Sequence, residues 1–254
     1  MNSKASNNIS EQKFQFSPIG IIQSPYQEKF AIPRQPGLVS AAKGQILLQN
    51  EANNSELLRG IEQFSHLWLI FVFHGTLAQG WKPLVRPPRL GGNEKMGVLA
   101  TRSTFRPNPI GISVVTLDSV ETYLEAKKQQ AILHISGLDL LNGTPILDIK
   151  PYIPYSDSLA DAQAGFAQQA PQASLVVKFS TIAMKQLNEL QQHYFDLKLL
   201  INQVLAQDPR PAYKQGKVDN KIYGMALYDL NIQWQMYSLE QIEVLKISQH
   251  NVHQ

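Results

Sequence analysis

Between Val85 and Gly111 the chain reads VRPPRLGGNEKMGVLATRSTFRPNPIG, which sets Arg86, Arg89, Arg102 and Arg106 among four prolines and four glycines. Guanidinium forks match carboxylates and phosphates two bonds at a time, so arginines at this density suit an anionic partner. The prolines fix φ and delete backbone donors, which excludes ordinary helix or central strand. The glycines permit turns and a close backbone approach to a ligand. Lys82 and Lys95 extend the basic run, and Glu94 is the only acid from Lys82 to Arg106, so this window carries a net +5. The whole chain carries only +3, so its charge is concentrated here. The competing reading pairs these arginines with acids elsewhere and leaves the prolines to close one end of a barrel. With one acid nearby in sequence, an anionic ligand is favoured.

Other constellations are less specific. Pro33-Arg34-Gln35-Pro36-Gly37 offers donors and acceptors in a rigid turn, equally consistent with a polar ligand and a solvated turn. His66 and His74 bracket an apolar run, but neither their spacing nor a third ligand makes a metal set, so no metal is expected. His66 reads as a local packing histidine, while His74 stays open beside Gly75. Ser136-Gly137-Leu138-Asp139 reads as a turn after a strand; Asp139 could accept from ribose hydroxyls or an ammonium group, but on sequence alone stabilising the turn is the favoured role. Asp148, between strand aliphatics, calls for solvent or a partner, either Lys150 or one of the loop arginines. Asp208-Pro209-Arg210-Pro211-Ala212-Tyr213-Lys214 is balanced between a helix-ending turn and a nucleic-acid contact, with Tyr213 for stacking and Lys214 for phosphate. No P-loop, dinucleotide-binding glycine fingerprint, G-x-S-x-G elbow or H-E-x-x-H helix occurs.

These loops need a scaffold, and the remaining sequence describes one. The 254 residues are 43% hydrophobic and 17% charged, enough apolar content for a substantial core and too little charge for a disordered tail protein. Cysteine is absent, which removes disulfides, thiolate nucleophiles and cysteine-ligated zinc. No apolar run reaches the roughly 18 residues of a membrane helix, and the first residues lack a signal-peptide core, so a cytoplasmic protein without membrane association is expected. Strand-like runs at Ile19–Ile22, Gln45–Leu48, Leu67–Phe73, Gly97–Ala100, Ile112–Leu117, Ile132–Ile135 and Ile146–Ile149 favour a compact antiparallel β-domain. One helix is expected over Glu56–Phe64 with Ser55 as N-cap. After a small, polar stretch, helical spacing runs from Thr181 to Gln207 with a break at His193–Asp196. It is flanked by strand-like Leu175–Phe179, Lys221–Leu227, Asn231–Met236 and Gln241–Ile247. In the last, Ile242 and Val244 fall on one face but Leu245 and Ile247 on the other. The expected fold is therefore mainly β with an α+β part. A flexible leader (1–13) precedes an antiparallel β-domain (14–155); a linker (156–171), a smaller α+β C-terminal domain (172–248) and a tail (249–254) follow.

Four stretches closely resemble the TsaA/TrmO family: SPIGIIQSPYQEKFAIPRQPG at Ser17–Gly37, FSHLWLIFVFH at Phe64–His74, MGVLATRSTFRPNPIGIS at Met96–Ser113 and LDLLNGTPILDIKPYIP at Leu138–Pro154. DPRPAY at Asp208–Tyr213 resembles the C-terminal domain of its bacterial members. The resemblance implies a single-sheet antiparallel β-barrel that binds S-adenosylmethionine. It implies transfer of the methyl group to N6 of threonylcarbamoyladenosine beside the tRNA anticodon, by a dimeric enzyme. Carried across by motif, the cofactor contacts are Pro33, Arg34, Gln35, His74, Gly75, Arg102, Ile112, Ser136, Gly137, Leu138 and Asp139. The reaction forms a nitrogen–carbon bond, breaks the carbon–sulfur bond and releases the nitrogen's proton, and no residue identifies itself as the catalytic base. Candidates for the tRNA anticodon loop are Arg86, Arg89, Lys95 and Arg106, with Arg210, Tyr213 and Lys214 as a second set. A non-catalytic barrel that binds RNA or an anionic metabolite is the alternative.

Overall fold

The computed structural model describes residues 13–125, 128–171, 175–194 and 196–249. The leader expected at 1–13 and the tail at 249–254 lie almost wholly outside this range. Strands β1 (Gly20–Gln23), β2 (Lys43–Leu48) and β3 (His66–Val72) come first. The Pro-rich connection after β3 holds only a two-residue ladder of β4 (Leu84–Val85) with β5 (Met96–Gly97). Then follow β6 (Ile110–Glu125), β7 (Lys128–Ser136) and β8 (Pro145–Pro151). Six of these strands close a barrel in the order β1-β2-β7-β6-β3-β8, every neighbour antiparallel. Closure removes free edges and lets period-two alternation fill the interior. Ile22, Ile46, Leu67, Leu69, Leu133, Ile135 and Ile146 are fully buried. Gly111 is required by close packing: a Cβ there would lie 2.4 Å from the Phe71 ring.

Two local expectations fail. The helix expected over Glu56–Phe64 is instead two 3₁₀ turns, Ser55–Leu58 and Ile61–Gln63, separated at Gly60 with φ +85°. The cap is Asn54 rather than Ser55; its side chain accepts from Glu56 N–H at 3.0 Å. The strand expected over Gly97–Ala100 is mostly a 3₁₀ turn, Val98–Ala100, because Thr101 and the bond from Arg106 to the Val98 carbonyl draw the chain into a turn. Asp148 finds Lys150 at 2.9 Å, the partner its sequence position called for.

After the barrel come a short helix α1 (Pro154–Asp157) and an exposed excursion. The C-terminal part consists of β9 (Val176–Phe179), α2 (Thr181–Leu190), α3 (Leu197–Leu205), β10 (Tyr223–Leu227), β11 (Leu230–Ser238) and β12 (Gln241–Gln249). The sheet order is β10-β11-β12-β9, with β9 parallel to β12. Ser180 caps α2 through Ala183 N–H at 3.1 Å. The helical break falls where the sequence placed it, at Asp196 with φ +57°. The parity conflict in β12 is a bulge: Val244 pairs with Trp234 and Lys246 with Gln233, leaving Leu245 between them. One extra residue returns Ile247 to the face of Ile242 and Val244, and all three are buried. The fold is thus a closed antiparallel barrel joined to a smaller α+β unit, as expected.

Gly111→Ala should destabilise the chain by about 2 kcal/mol, the usual scale for overpacking a filled core. Urea unfolding of both forms measures this, and equal midpoints would show that the Phe71 and Phe73 rings yield freely.

Candidate functional site

Strand direction decides where the loops meet. β1, β3 and β7 run one way and β2, β6 and β8 the other. The connections 24–42, 73–109 and 137–144 therefore leave from one mouth. The expected cofactor residues sort onto these three connections and their adjoining strand ends. Pro33, Arg34 and Gln35 lie in the first; His74, Gly75 and Arg102 in the second; Ser136 ends β7, and Gly137, Leu138 and Asp139 follow it. Ile112 stands near the start of β6, facing outward and half exposed.

The stagger of β6 against β7 brings these groups closer. Ser136 pairs with Thr116, so the turn beyond Ser136 runs back alongside the first residues of β6. Ser113, only 2% exposed, donates from Oγ to Asp139 Oδ1 at 2.6 Å. Arg102 donates from Nη1 to Gln35 Oε1 at 2.6 Å. Gly37 N–H donates to the Gly137 carbonyl at 2.8 Å, and Gly137 N–H donates to the Ala42 carbonyl at 2.9 Å. Those two turns, the Ser113–Asp139 pair and Arg102 form one constellation. Gly75 abuts the third connection, where a Cβ on it would lie 3.1 Å from Leu141, and His74 precedes it just after β3.

The electrostatics of this mouth are uneven. The Asp139 carboxyl is raised to about 6, first by burial, which the Ser113 bond and the nearby Arg102 only partly offset. Tyr26, fully buried beside it, has a hydroxyl without a hydrogen-bond partner among the described residues; burial, then the charge of Asp139, pushes its phenol upward. Arg34 is exposed on its outer side, yet partial burial holds its guanidinium below the arginine range; Asp208 opposes that shift and Arg89 adds to it. Pro36, Arg102, Ser113 and Val114 line a groove of about 400 Å³ that His66, Trp68, Tyr152 and Asp157 complete. A second groove, about 470 Å³, opens elsewhere against Lys43, Gln45, Asp118 and His134, and it contains none of the expected cofactor residues. The first is the one continuous with the constellation.

S-Adenosylmethionine fits this donor set. Its carboxylate would suit the Arg102 fork, and its ammonium or ribose hydroxyls would suit the Asp139 carboxylate; Tyr26, fully buried, lies behind Asp139. Ser113 and Tyr26 were not singled out from the sequence. Ser113 carried a usable signal: between Gly111 and Val115 it occupies the inward parity of β6, where a hydroxyl needs a partner. Tyr26 carried none.

The basic residues divide into free and committed. Arg86 and Lys95 are exposed and form no ion pair with any described residue. Arg89 donates to the Gln169 carbonyl, and Arg106 braces its own loop through the Thr101 carbonyl at 2.6 Å. Arg86, Arg89, Arg102 and Arg106 form no ion pair with any described acid, contrary to the competing reading. Arg210 is a correction. It is 3% exposed, makes a two-bond pair with Asp208 at 2.7 Å and donates to the Lys217 carbonyl, so it cannot reach a tRNA phosphate. Lys214 is held by Asp219 at 2.8 Å, whereas Tyr213 is 71% exposed.

Comparison with known proteins places this geometry in a family. Residues 21–158 match the model of the tRNA-methyltransferase O N-terminal domain, and residues 172–250 match that of the TrmO C-terminal domain. A tRNA (adenine(37)-N6)-methyltransferase of Escherichia coli is 54% identical over 223 residues, 88% of this chain and 93% of that protein. A Pseudomonas aeruginosa protein named as a putative S-adenosylmethionine-dependent methyltransferase, RcsF, is 47% identical over 91% of this chain and 96% of its own length. The crystal structure of TrmO from Pseudomonas aeruginosa superposes with a TM-score of 0.77 at 41% identity, covering 93% of this chain and 99% of that one. With both halves matched in order and the barrel shared, the chain belongs to the TrmO family.

Proposed function

We propose that this chain methylates N6 of adenosine 37 in tRNA with S-adenosylmethionine as donor, and that the target adenosine already carries a threonylcarbamoyl group. Membership of the TrmO family and the names of its relatives support the coarser statement, an adenine-37 N6-methyltransferase dependent on S-adenosylmethionine. The observation that carries the reading to residues is the convergence of three barrel loops on Arg102–Gln35 and Ser113–Asp139 at one mouth. Bound there, the cofactor supplies a methyl group made electrophilic by its sulfonium.

The chain's own residues bind and orient. Pro33 and Pro36 stiffen the first loop, Arg102 presents its fork from the second, and the Ser136–Asp139 turn closes the third side. Alignment of this kind supplies much of the rate in a transfer that needs no covalent intermediate. Arg86 and Lys95 are the phosphate contacts we assign to the anticodon loop, with Arg89 and Arg106 beside them and Tyr213 available to stack on a splayed base. We place the enzyme in the cytoplasm as a homodimer, following the family resemblance.

Methyl transfer from labelled S-adenosylmethionine should proceed onto tRNA bearing the threonylcarbamoyl group and fall by at least tenfold, on the order of 1.4 kcal/mol, on tRNA lacking it. Equal labelling of the two tRNAs would remove the modified base as the substrate. A non-catalytic RNA-binding barrel would label neither.

Asp139 predicts a pH dependence. Its pKa, raised to about 6 from the ordinary carboxylate value, means that the free protein holds a proton there at pH 5 and releases it by pH 7. An ammonium group on Asp139 favours the ionised form, so with that contact cofactor affinity should rise with pH and level off above about 6. In Asp139→Asn, calorimetric titration should find weaker binding with no such rise. A wild-type profile flat from pH 5 to 7 contradicts the assignment.

Arg86→Ala and Lys95→Ala should weaken tRNA binding and reduce the slope of log affinity against log salt by about one for each phosphate no longer neutralised. Slopes unchanged in both variants would place the phosphates elsewhere.

A further inference from the structure

The connection between β1 and β2 carries Pro33–Gln35 at its middle, and the C-terminal unit grips it on both sides of that stretch. On the first side, Tyr26 forms an antiparallel bridge with Leu227, the last residue of β10. Tyr228 N–H donates to the Pro25 carbonyl at 2.7 Å, and the Glu28 carboxylate accepts from Ala226 N–H at 3.1 Å. On the second side, two glutamines reach across from the end of α3. Gln203 accepts from Ala41 N–H through Oε1 at 2.9 Å and donates through Nε2 to Ser40 Oγ at 3.0 Å. Gln207 donates through Nε2 to the Leu38 carbonyl at 3.1 Å.

Backbone polar groups in a packed loop need partners, and over Gly37–Ala42 these come from the barrel, from the C-terminal unit and from the loop itself, where Ala42 N–H donates to the Val39 carbonyl at 3.1 Å. The barrel turn at Gly137 serves Gly37 and Ala42. The glutamines serve Leu38 and Ala41 between them. A side-chain amide can donate and accept at once, and Gln203 uses both capacities.

We propose that the C-terminal unit sets cofactor affinity by fixing this loop, with Gln203 and Gln207 as positioning residues for Pro33–Gln35. The proposal rests on the reading of Pro33–Gln35 as cofactor contacts. A loop already held in its binding conformation loses less freedom when the ligand arrives. Neither glutamine needs to touch the cofactor for this. Their effect falls on donor binding rather than on the transfer step.

The test uses the full chain with Gln203→Ala/Gln207→Ala, and with Gln203→Glu and Gln207→Ala as milder variants. Calorimetric titration with S-adenosylmethionine should give a Kd about tenfold weaker in the double variant, with kcat at saturating donor within about twofold of wild type. Gln203→Glu keeps the acceptor for Ala41 N–H and should fall between. Amide hydrogen exchange should show weaker protection over Leu38–Ala42 while Leu67–Phe71 in β3 stays protected, which separates loop release from general unfolding. A folded double variant with wild-type Kd, or with unchanged protection of the loop, overturns the proposal. Should the double variant not fold, Gln207→Ala alone carries the same two readouts. Absence of cofactor binding in the wild-type chain would instead remove the reading of Pro33–Gln35, and the hydrogen exchange would still decide the clamp.

Discussion

Two glycine turns pressed together, at Gly37 and Gly137, form the joint on which the site depends. Both have positive φ, +78° and +72°, a region that costs an ordinary residue about 1–2 kcal/mol. The bonds they make are backbone bonds, Gly37 to Gly137 and Gly137 to Ala42, each worth about 0.5–1.5 kcal/mol net. That energy is modest, so the joint holds because its two sides are already delivered to it. The stagger of β6 against β7 brings one turn, and closure of β1 against β2 and β8 brings the other. Gln35 and Asp139 lie on separate loops, and this contact holds the two loops together where Arg102 bonds the first residue and acts electrostatically on the second.

Charge at the mouth follows a different logic from charge in the core. Exposed ion pairs contribute about 0–1 kcal/mol, so leaving Arg86 and Lys95 without acids sacrifices almost no stability. What it provides is a positive field over a rigid loop, free to act on an anion. Arg34 and Arg89 repel, and Asp208 relieves that repulsion from the C-terminal side. Asp139 is the opposite case. Its enclosure opposes ionisation, and Ser113 and Arg102 recover only part of the loss. Such a carboxyl is costly to fold around and well suited to a ligand that brings the compensating donor.

The barrel was legible because its strands alternate and its loops are punctuated by Pro and Gly. The strand run from Leu67 and the helical break by Asp196 stand where the sequence put them. The bulge at Leu245 was visible as a parity conflict, although its cause needed the pairing with β11. Gly60 defeated the helix over Glu56–Phe64: apolar spacing suggested a continuous helix, but the left-handed glycine split it. For the candidate site, motif resemblance named loop residues that the fold brings to one barrel mouth, and the single +5 window named Arg86 and Lys95, which are exposed. Ser113, Tyr26, Gln203 and Gln207 escaped because each acts on a residue far off in sequence. Gln203 and Ala41 are 162 positions apart, a separation that spacing arguments do not bridge.

Arg210 shows why a motif's residue types do not fix their job. In Asp208–Tyr213 an arginine between prolines suggested a phosphate contact, but the folded chain commits it to Asp208 and to the Lys217 carbonyl. Burying such a pair costs several kcal/mol in lost hydration, and removing one partner costs about 3–5 kcal/mol because the other charge is stranded. A group under that constraint cannot swing out to meet RNA. Its geometry instead keeps Asp208, itself in a left-handed conformation with φ +49°, just past the end of α3 and within electrostatic reach of Arg34. The buried pair therefore belongs to the same architecture as Gln203 and Gln207, one that ties the C-terminal unit to the first loop of the barrel mouth. Tyr213, exposed on the far end of the motif, is the part of it left facing solvent.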